Sequence, residues 1–494
     1  MMRADTWLRP GDNCWRVRRA GRFAVLMENA AYFDALASAL SKARRSVVVL
    51  GWQFDPRTRL NPETRPGDRQ AEIGHLLRMM IKQNPELDVR LLIWKSPLLI
   101  AASQGFFPQR AQRWFRRRTV DFRLDNPGPL GACHHQKVVI VDDAVAFCGG
   151  GDIATDRWDS EEHLDGDPRR CTPSGAICPP RHEVMCVMDG PAARALSDLA
   201  RRRWFRATRA AVLPIRADHD PWPDGVEADL TDVEVGVART DPAWGRRPLV
   251  RENLSLHLDA IRRARRLIYL ENQYVTSPVI AQALAERLRE PDGPEVVIVS
   301  TAESPSWFDR LTMDTARAEV LRRLEAADLH DRFTAFCPRT EEGERIIVHS
   351  KVSIIDDELV RIGSTHLNNR SQGFDSECDV AAVAATDEGR AFARRLRRRL
   401  IAHFLGMGTE AYAAAEDLSP SVGRAILSFG GDRMIRLGVQ APRRLDRIMA
   451  EWQFGDPHGS DDAWWPWMRR RKGWPRLAQS PDGGDTSKSI ASGR

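Results

Sequence analysis

One pattern of eight residues occurs twice in this chain, and it constrains the fold more than any other feature. Both copies read His-x-Lys, four mostly apolar residues, and Asp. They occupy positions 135–142 and 349–356, so that the second begins 214 residues after the first. In both copies a glycine, Gly149 or Gly363, follows the Asp at the same distance. A single short match is weak evidence, but two copies with matching sequels indicate an internal duplication.

The secondary structure expected from apolar periodicity repeats in the same way. Ala-Arg-Arg precedes a short apolar run in both halves, at 43–45 and 264–266. The periodicity predicts helices over 30–42, 71–83, 256–266 and 316–327, and strands over 46–50, 89–94, 135–141, 267–270 and 296–299. Strands that alternate with helices are typical of an α/β fold. We therefore expect two tandem α/β/α domains with mixed sheets, related by a pseudo-twofold axis, with the active site at their interface.

Composition divides the chain into four parts. We predict a first half over 1–205, a linker rich in Pro and Asp over 206–232, a second half over 233–410, and a C-terminal helical extension with a disordered tail over 411–494. Within the last part, the segment 464–472 combines tryptophan with arginine and lysine. This composition suits a membrane interface. A segment that packs on the domain, or a solvated basic patch, would have the same composition.

The overall composition and charge are those of a globular protein. The 494 residues are 42% apolar and 29% charged, and the net charge of +6 permits an anionic partner without requiring one. The first twenty residues have no apolar signal core. No apolar run approaches the ~20 residues of a membrane-spanning helix. We expect a monomeric protein of the cytoplasm that is either free or peripheral at a membrane.

The repeated motif carries the residue types that phosphodiester chemistry needs. Alternate side chains of a strand share one face, so His135 and Lys137 are expected to point the same way, as are His349 and Lys351. One neutral imidazole could attack phosphorus and form a phosphohistidine, while the other acts as acid and then as base. The ammonium groups would hold the non-bridging oxygens, so the site needs no metal or other cofactor. Lysine is rare here, with seven among 74 basic residues, which favours a specific role for the two in the motif.

Each imidazole also needs a carboxylate on its second ring nitrogen to fix its orientation. The candidates are Glu377 and Asp159, which we pair crosswise, Glu377 with His135 and Asp159 with His349. The motif aspartates, Asp142 and Asp356, fall on the opposite strand face. We expect them to anchor the turn that follows rather than to touch phosphate.

The duplicated His-x-Lys-x4-Asp resembles the signature of the phospholipase D superfamily, and the resemblance extends from about residue 32 to 405. The segments 134–137, 149–152, 157–159, 271–274, 368–371 and 375–377 look like the branch that hydrolyses phosphatidylcholine. The resemblance implies hydrolysis of phospholipid to phosphatidate and transfer to alcohols, with His135 as nucleophile and His349 as general acid. The catalytic residues that the signature implies are His135, Lys137, Asp142, His349, Lys351 and Asp356.

The chain departs from the superfamily pattern after each motif. The pattern often continues Gly-Ser-x-Asn, whereas here Asp152 ends the first copy and Ser364-Thr365-His366 the second. Ionised Asp152 cannot donate a hydrogen bond to phosphate, but His366 can. We expect Asp152, Ser364 and His366, with the two supporting carboxylates, around the substrate.

Three other functions remain open. A cardiolipin synthase-like phosphatidyltransferase would use the same chemistry with another acceptor, and a nuclease of the superfamily would cut nucleic acid. A catalytically inactive scaffold or lipid-binding module is disfavoured because both copies keep His and Lys. We expect a phospholipid substrate at a membrane surface, with water or an alcohol as acceptor and no nucleic acid. Seven further histidines lack metal-ligand spacing and are expected in core or surface roles: His75, His163, His219, His257, His330, His403 and His458. His134 is expected to be structural, and His182 is a candidate for a position near the site.

Overall fold

The computed structural model describes residues 6–62, 69–97, 107–115, 120–126, 128–306, 309–438 and 455–457. The tryptophan-rich and arginine-rich segment 464–472 and the predicted disordered tail lie outside the described residues. Within the described ranges, no helix is both long and apolar enough to cross a membrane.

The first half of the chain alternates strands and helices as the periodicity predicts. Its strands are β1 (Arg16–Met27), β2 (Ser46–Gly51), β3 (Asp88–Trp94), β4 (Val120–Asp125), β5 (Val138–Val141), β6 (Val145–Gly149), β7 (Arg181–His182) and β8 (Val184–Asp189). Its helices are α1 (Glu28–Ser41), α2 (Ile73–Gln83), α3 (Pro108–Phe115) and α4 (Gly190–Thr208).

The second half repeats this order and adds helices at its end. Its strands are β9 (Leu230–Asp241), β10 (Val250–Arg251), β11 (Leu267–Asn272), β12 (Glu295–Val299), β13 (Phe333–Pro338), β14 (Ile347–Val348), β15 (Lys351–Ile355), β16 (Leu359–Gly363), β17 (Glu377–Val383) and β18 (Met434–Arg436). Its helices are α5 (Glu252–Arg263), α6 (Pro278–Arg289), α7 (Thr315–Ala327), α8 (Asp387–Leu405), α9 (Thr409–Leu418) and α10 (Val422–Gly430). Strand β9 begins inside the range predicted for the linker.

Sixteen of these strands, from both halves, join in one mixed sheet, and β7 and β14 pair parallel in a separate two-stranded sheet. The order of the large sheet is β4-β3-β2-β5-β6-β8-β1-β9-β17-β16-β15-β11-β12-β13-β18, with β10 on β9, and this order is symmetric about the β1–β9 pair. The expected mixed α/β order is confirmed, but the two halves do not have separate sheets. Strands β1 and β9, each of 12 residues, pair antiparallel along their length, so neither half presents an open edge there.

Helices cover both faces of the sheet and fix the position of the first motif. Alternate residues of β5 pack on opposite sides: Val138 and Ile140 lie in the core that contains α4, whereas Val139 and Val141 lie in the core that contains α1. A strand buried on both faces is nearly all apolar, which explains the uninterrupted valine and isoleucine run after Lys137. The motif therefore enters the sheet as a rigid central strand.

Candidate active site

The two motif histidines are held by the backbone of the opposite half of the chain. The backbone N–H of His135 donates to the carbonyl oxygen of Ser376 at 2.9 Å, and that of His349 donates to the carbonyl oxygen of His182 at 2.9 Å. The prediction of a continuous strand over 135–141 is wrong, because the backbone at His134 and His135 pairs with Ser376 and β5 begins only at Val138. Both histidines therefore lie where the halves meet.

A buried carboxylate from the opposite half engages Nδ1 of each motif histidine. Glu377 Oε2 lies 2.9 Å from His135 Nδ1, which is the pairing predicted from the sequence. The partner of His349 is Glu183, whose Oε2 contacts His349 Nδ1, so the predicted pairing of Asp159 with His349 is wrong. Because Nδ1 is engaged in both rings, Nε2 is the nitrogen left to react.

Asp159 belongs to a different group of side chains. Its Oδ2 accepts hydrogen bonds from His163 Nδ1 and from the backbone N–H of Arg181, each at 2.8 Å. Its Oδ1 accepts from Arg170 at 3.0 Å. These three donors satisfy the carboxylate, which therefore orients His163 rather than a motif histidine.

Glu183 could have been found by extending the internal duplication one strand further. In the ladder, Gly149 pairs with Met185 and Gly363 pairs with Asp379, so Glu183 and Glu377 occupy equivalent positions. The segment from Gly149 to Glu183 spans 34 residues and that from Gly363 to Glu377 spans 14, and this difference of 20 hides the match in the sequence.

The motif lysines are buried beside the histidines. Lys137 Nζ donates to the carbonyl oxygen of His135 at 3.0 Å, and Lys351 Nζ donates to that of His349 and lies 2.9 Å from its Nδ1. Burial lowers the pKa of Lys351 to about 7, although the carboxylate of Glu183 acts in the opposite direction. The lysine side chains are therefore already desolvated before an anion binds.

Burial also sets the charge states of the catalytic candidates. Burial and the charge of Lys137 hold the pKa of His135 well below its usual value, and burial with the charge of Lys351 does the same for His349. Burial raises the pKa of Glu183 and of Glu377 to about 7. Both imidazoles are consequently neutral near pH 7 before substrate binds, which is the form a nucleophile requires.

Asp152 forms a buried ion pair with Lys137. Its Oδ1 accepts from the backbone N–H of Trp52 at 2.9 Å and of Gln53 at 3.1 Å, and its Oδ2 lies 3.3 Å from Lys137 Nζ. Burial opposes the charged form, but the positive charges of Lys137 and Arg157 and the hydrogen bond from the Gln53 backbone together outweigh it and lower the pKa of Asp152. The ion pair holds the Lys137 ammonium near His135.

His366 lies close to both motif histidines. Its ring centroid is 5.3 Å from that of His135, 5.8 Å from that of His349 and 4.7 Å from that of Tyr274. Its Nδ1 lies 3.3 Å from Asn272 Oδ1. The imidazole that replaces the usual asparagine thus lines the same cleft as both motif histidines.

Ser364 supports the carboxylate of Glu377. Its hydroxyl donates to Glu377 Oε2 at 2.5 Å, and its backbone N–H donates to Asp379 Oδ1 at 2.8 Å. Since Glu377 Oε2 also contacts His135, the serine restricts the carboxylate that orients the first imidazole.

The motif aspartates hold loops at the far end of the strands. The carboxylate of Asp142 accepts from the backbone N–H groups of 44–46 at 2.6 to 2.8 Å, and that of Asp356 accepts from those of 265–267 at 2.7 to 2.8 Å. Both residues have positive φ, 52° and 55°, and open a tight turn. The carboxylates anchor the loop that enters the neighbouring strand, β2 or β11, rather than their own turn, and neither faces the cleft.

The assembled cleft contains the groups that phosphoryl-type chemistry uses. Two neutral imidazoles, each held at Nδ1 by a glutamate, are only partly exposed, with 14% of the His135 and 11% of the His349 side chain accessible. Two lysines lie beside the motif histidines, and His366 is close to both of these histidines. Such a cleft supplies a nucleophile, an acid–base group and fixed cations to a single substrate.

Comparisons with known proteins agree with this geometry. No family model matches the chain. Phospholipase D beta 2 of Arabidopsis thaliana is 24% identical, and the match covers 70% of this chain and 52% of that protein. Phospholipase D alpha 1 of Arabidopsis thaliana is 23% identical, and the match covers 71% of this chain and 60% of that protein. The chain thus spans a little more than half the length of these relatives.

A solved structure has the same fold. The phosphatidylserine synthase of Haemophilus influenzae Rd KW20 matches with a TM-score of 0.56 and 12% sequence identity, and the match covers 78% of this chain and 88% of that one. The duplicated motif, the paired histidines and these matches lead to one conclusion. The chain is similar to enzymes of the phospholipase D superfamily and is distantly related to them in sequence.

Proposed function

We propose that this chain is a phospholipase D-type phosphodiesterase. It hydrolyses glycerophospholipids of the phosphatidylcholine and phosphatidylethanolamine class to phosphatidate and transfers the phosphatidyl group to alcohols. The observation that carries the proposal is the crosswise support of the two imidazoles, His135 by Glu377 and His349 by Glu183. The names of the two relatives described above, both phospholipases D, favour a lipid over other phosphodiesters.

In the first step, Nε2 of His135 attacks the phosphorus of the lipid and a bond between nitrogen and phosphorus forms. The bond from phosphorus to the head-group oxygen breaks, and His349 gives its Nε2 proton to the departing alkoxide. Glu377 orients the nucleophile through Nδ1 and stabilises the positive charge that its ring acquires.

In the second step, water or a primary alcohol attacks the phosphohistidine on His135. His349, now neutral, removes the proton from the attacking oxygen, and the bond between nitrogen and phosphorus breaks. Water gives phosphatidate and an alcohol gives a phosphatidylalcohol. The two half-reactions use the same groups in reverse, so the choice of acceptor alone separates hydrolysis from transfer.

The lysines supply the charge compensation that the reaction needs. Lys137 and Lys351 are fixed in the cleft by hydrogen bonds to the carbonyl oxygens of His135 and His349. Their ammonium groups offset the charge on the non-bridging oxygens as the pentacoordinate transition state forms. Two fixed cations make a metal at this centre unnecessary.

Substrate binding prepares the general acid. In the free protein, burial and Lys351 keep His349 neutral, which is the wrong form for protonating a leaving group. The phosphodiester anion brings a negative charge next to the ring and raises its pKa. His349 therefore takes up a proton from the solvent when the anionic substrate binds.

The test is incubation of the protein with phosphatidylcholine vesicles and a primary alcohol, followed by separation of the lipid products. We expect phosphatidate without the alcohol and a phosphatidylalcohol with it. The matched control is His349→Ala, which should give neither product. Cleavage of DNA without turnover of lipid would overturn the proposal in favour of a nuclease. Turnover of phosphatidylglycerol alone, with a second phosphatidylglycerol as acceptor, would overturn it in favour of a cardiolipin synthase-like transferase.

A further inference from the structure

Four ionisable side chains meet in the buried interior behind the catalytic cleft. They are Glu28, His163, His182 and His403, called here the histidine cluster, and one ligand atom of each lies within 4.8 Å of the others. Four separate segments contribute them: the start of α1, the loop around residue 163, strand β7 and the end of α8. The sequence places these residues far apart, and only the fold brings them together.

Glu28 Oε1 is the point on which the cluster converges. It lies 3.4 Å from His163 Nε2 and 3.5 Å from His403 Nε2, and it contacts His182 Nδ1. In a tetrahedral zinc site with bonds of about 2.1 Å, neighbouring ligand atoms are about 3.4 Å apart. Shifts of less than about 1 Å would place a Zn²⁺ ion at bonding distance from all four.

Two of the ring nitrogens have no hydrogen bond to any described residue. Nε2 of His163 and Nε2 of His403 are buried, and both face Glu28. A buried polar atom without a partner costs about 1–3 kcal/mol, so native proteins rarely retain one without a reason. Coordination to a cation would satisfy both nitrogens.

The other ring nitrogen of each histidine is already oriented by an acceptor. Zinc-bound histidines usually donate their second ring N–H to a carboxylate or a backbone carbonyl, which fixes the tautomer. The acceptors here are Asp159 Oδ2 for His163 Nδ1 at 2.8 Å, Glu271 Oε2 for His182 Nε2 at 2.8 Å, and the Arg399 carbonyl oxygen for His403 Nδ1 at 3.3 Å. Each of the three histidines therefore has the hydrogen-bond acceptor on its second ring nitrogen that metal-bound histidines usually have.

Two members of the cluster have strained backbones. Glu28 has φ of 63° and His163 has φ of 44°, a region that side chains other than glycine seldom adopt. Such strain is retained where a side chain must be aimed at a functional position. Both side chains are aimed at the centre of the cluster.

We propose that the histidine cluster is a structural zinc site. His163 and His403 bind through Nε2, His182 binds through Nδ1, and one carboxylate oxygen of Glu28 completes a tetrahedron. Three imidazoles and one carboxylate suit Zn²⁺ better than Mg²⁺ or Ca²⁺, which prefer oxygen ligands. Since the protein supplies all four ligands and the cluster is buried, the ion has no open position for substrate.

A bound ion would restrict the residues that support His349 in the catalytic cleft. Glu28 Oε2 accepts from the backbone N–H of Glu183 at 3.0 Å, and the N–H of Glu28 donates to the carbonyl oxygen of Glu183 at 2.8 Å. The carbonyl oxygen of His182 holds the backbone of His349. A zinc ion on Glu28 and His182 thus fixes the carboxylate that orients His349.

The first experiment measures zinc in the full-length protein by inductively coupled plasma mass spectrometry after dialysis against metal-free buffer. We expect about one zinc per chain in the wild type. His403→Gln should lose it, and this substitution should disturb the core least, because His403 is the least buried member of the cluster. The matched control is His330→Gln, an exposed histidine outside the cluster, which should retain it.

The second experiment does not depend on any variant. Zinc is stripped from the wild type and Zn²⁺ alone is titrated back against a competing chelator, and Co²⁺ is added in parallel for its absorption spectrum. We expect 1:1 binding and the intense visible bands of tetrahedral cobalt. Absence of stoichiometric zinc together with binding no tighter than in His403→Gln would overturn the proposal. The cluster would then be a network of charged imidazoles and carboxylates. Neither measurement uses lipid, so failure here leaves the proposed activity standing.

Discussion

Glu183 in the first half of the chain accepts a hydrogen bond from Nδ1 of His349 in the second half. Glu377 and His135 make the reciprocal contact at 2.9 Å. Neither half alone therefore contains a motif histidine together with its supporting carboxylate. The pairing of β1 with β9 aligns the halves and so completes both sets of contacts at once.

Replacement of Glu183 by glutamine tests this relationship. Glu183→Gln keeps the shape but removes the negative charge that stabilises the His349 imidazolium, and we expect kcat to fall by about 10²–10⁴-fold. The steady-state kinetics of phosphatidylcholine hydrolysis measure the effect. The matched control is Glu341→Gln, an exposed carboxylate, which should be indistinguishable from the wild type. A loss of less than threefold in Glu183→Gln would show that the carboxylate has no part in the reaction.

Trapping the covalent intermediate distinguishes the two histidines. A phosphodiester with a nitrophenolate leaving group needs no general acid, so His349→Ala should still form the phosphohistidine and then stall. His135→Ala should form none. The phosphorylated site is mapped by mass spectrometry after an alkaline quench, because phosphohistidine is unstable in acid. Recovery of the label on position 349 in His135→Ala would reverse the assigned roles.

Replacement of Lys137 by arginine tests whether charge alone is sufficient. Lys137 is 2% exposed and lies between the carbonyl oxygen of His135 and Asp152, so the larger planar guanidinium does not fit its position. We expect Lys137→Arg to lower kcat by at least tenfold. Lys95→Arg is the matched control because Lys95 is exposed. Wild-type rates in Lys137→Arg would contradict the specific role of the ammonium.

Most residues of this site can be predicted from the sequence. The His-x-Lys repeat locates the imidazoles and lysines, and Glu377 is found because it lies close after the second motif. Glu183 is hidden by the longer loop before it, and β1 and β9 are hidden by arginines and acidic residues that interrupt their apolar pattern. The histidine cluster depends on long-range packing, which local periodicity does not encode.

The affinity for a phosphodiester anion should depend on pH through Lys351. Burial lowers the pKa of this group to about 7, so the free protein loses the ammonium as pH rises through 7. The anion binds the protonated form, and its dissociation constant should rise by up to about tenfold per pH unit above 7. Calorimetric titration with dimethyl phosphate, which does not titrate in this range, measures the slope. In Lys351→Arg, which stays charged, the slope above pH 7 should be lost; an unchanged slope would assign it to another group.

The lowered pKa of Lys351 also makes the free energy of unfolding depend on pH. The pKa of Lys351 is about 7 in the folded protein and about 10.4 in the unfolded chain, so the folded state binds fewer protons between these values. Its contribution to the free energy of unfolding therefore increases as pH rises from about 7 to about 10.4. Urea unfolding of the wild type and of Lys351→Met across this range isolates the contribution.

Substitution of Asp142 separates an anchoring role from a catalytic one. Its carboxylate accepts three backbone N–H groups of residues 44–46, which would lose their partner in Asp142→Ala. We expect the free energy of unfolding to fall by about 2–4 kcal/mol, since several partly buried donors are left unsatisfied. The value of kcat per folded molecule should change by less than about threefold, because the carboxylate lies at the far end of β5 from His135. Urea unfolding and active-site titration by the trapped intermediate supply the two quantities. A tenfold fall in kcat at unchanged stability would instead place Asp142 in the chemistry of the motif.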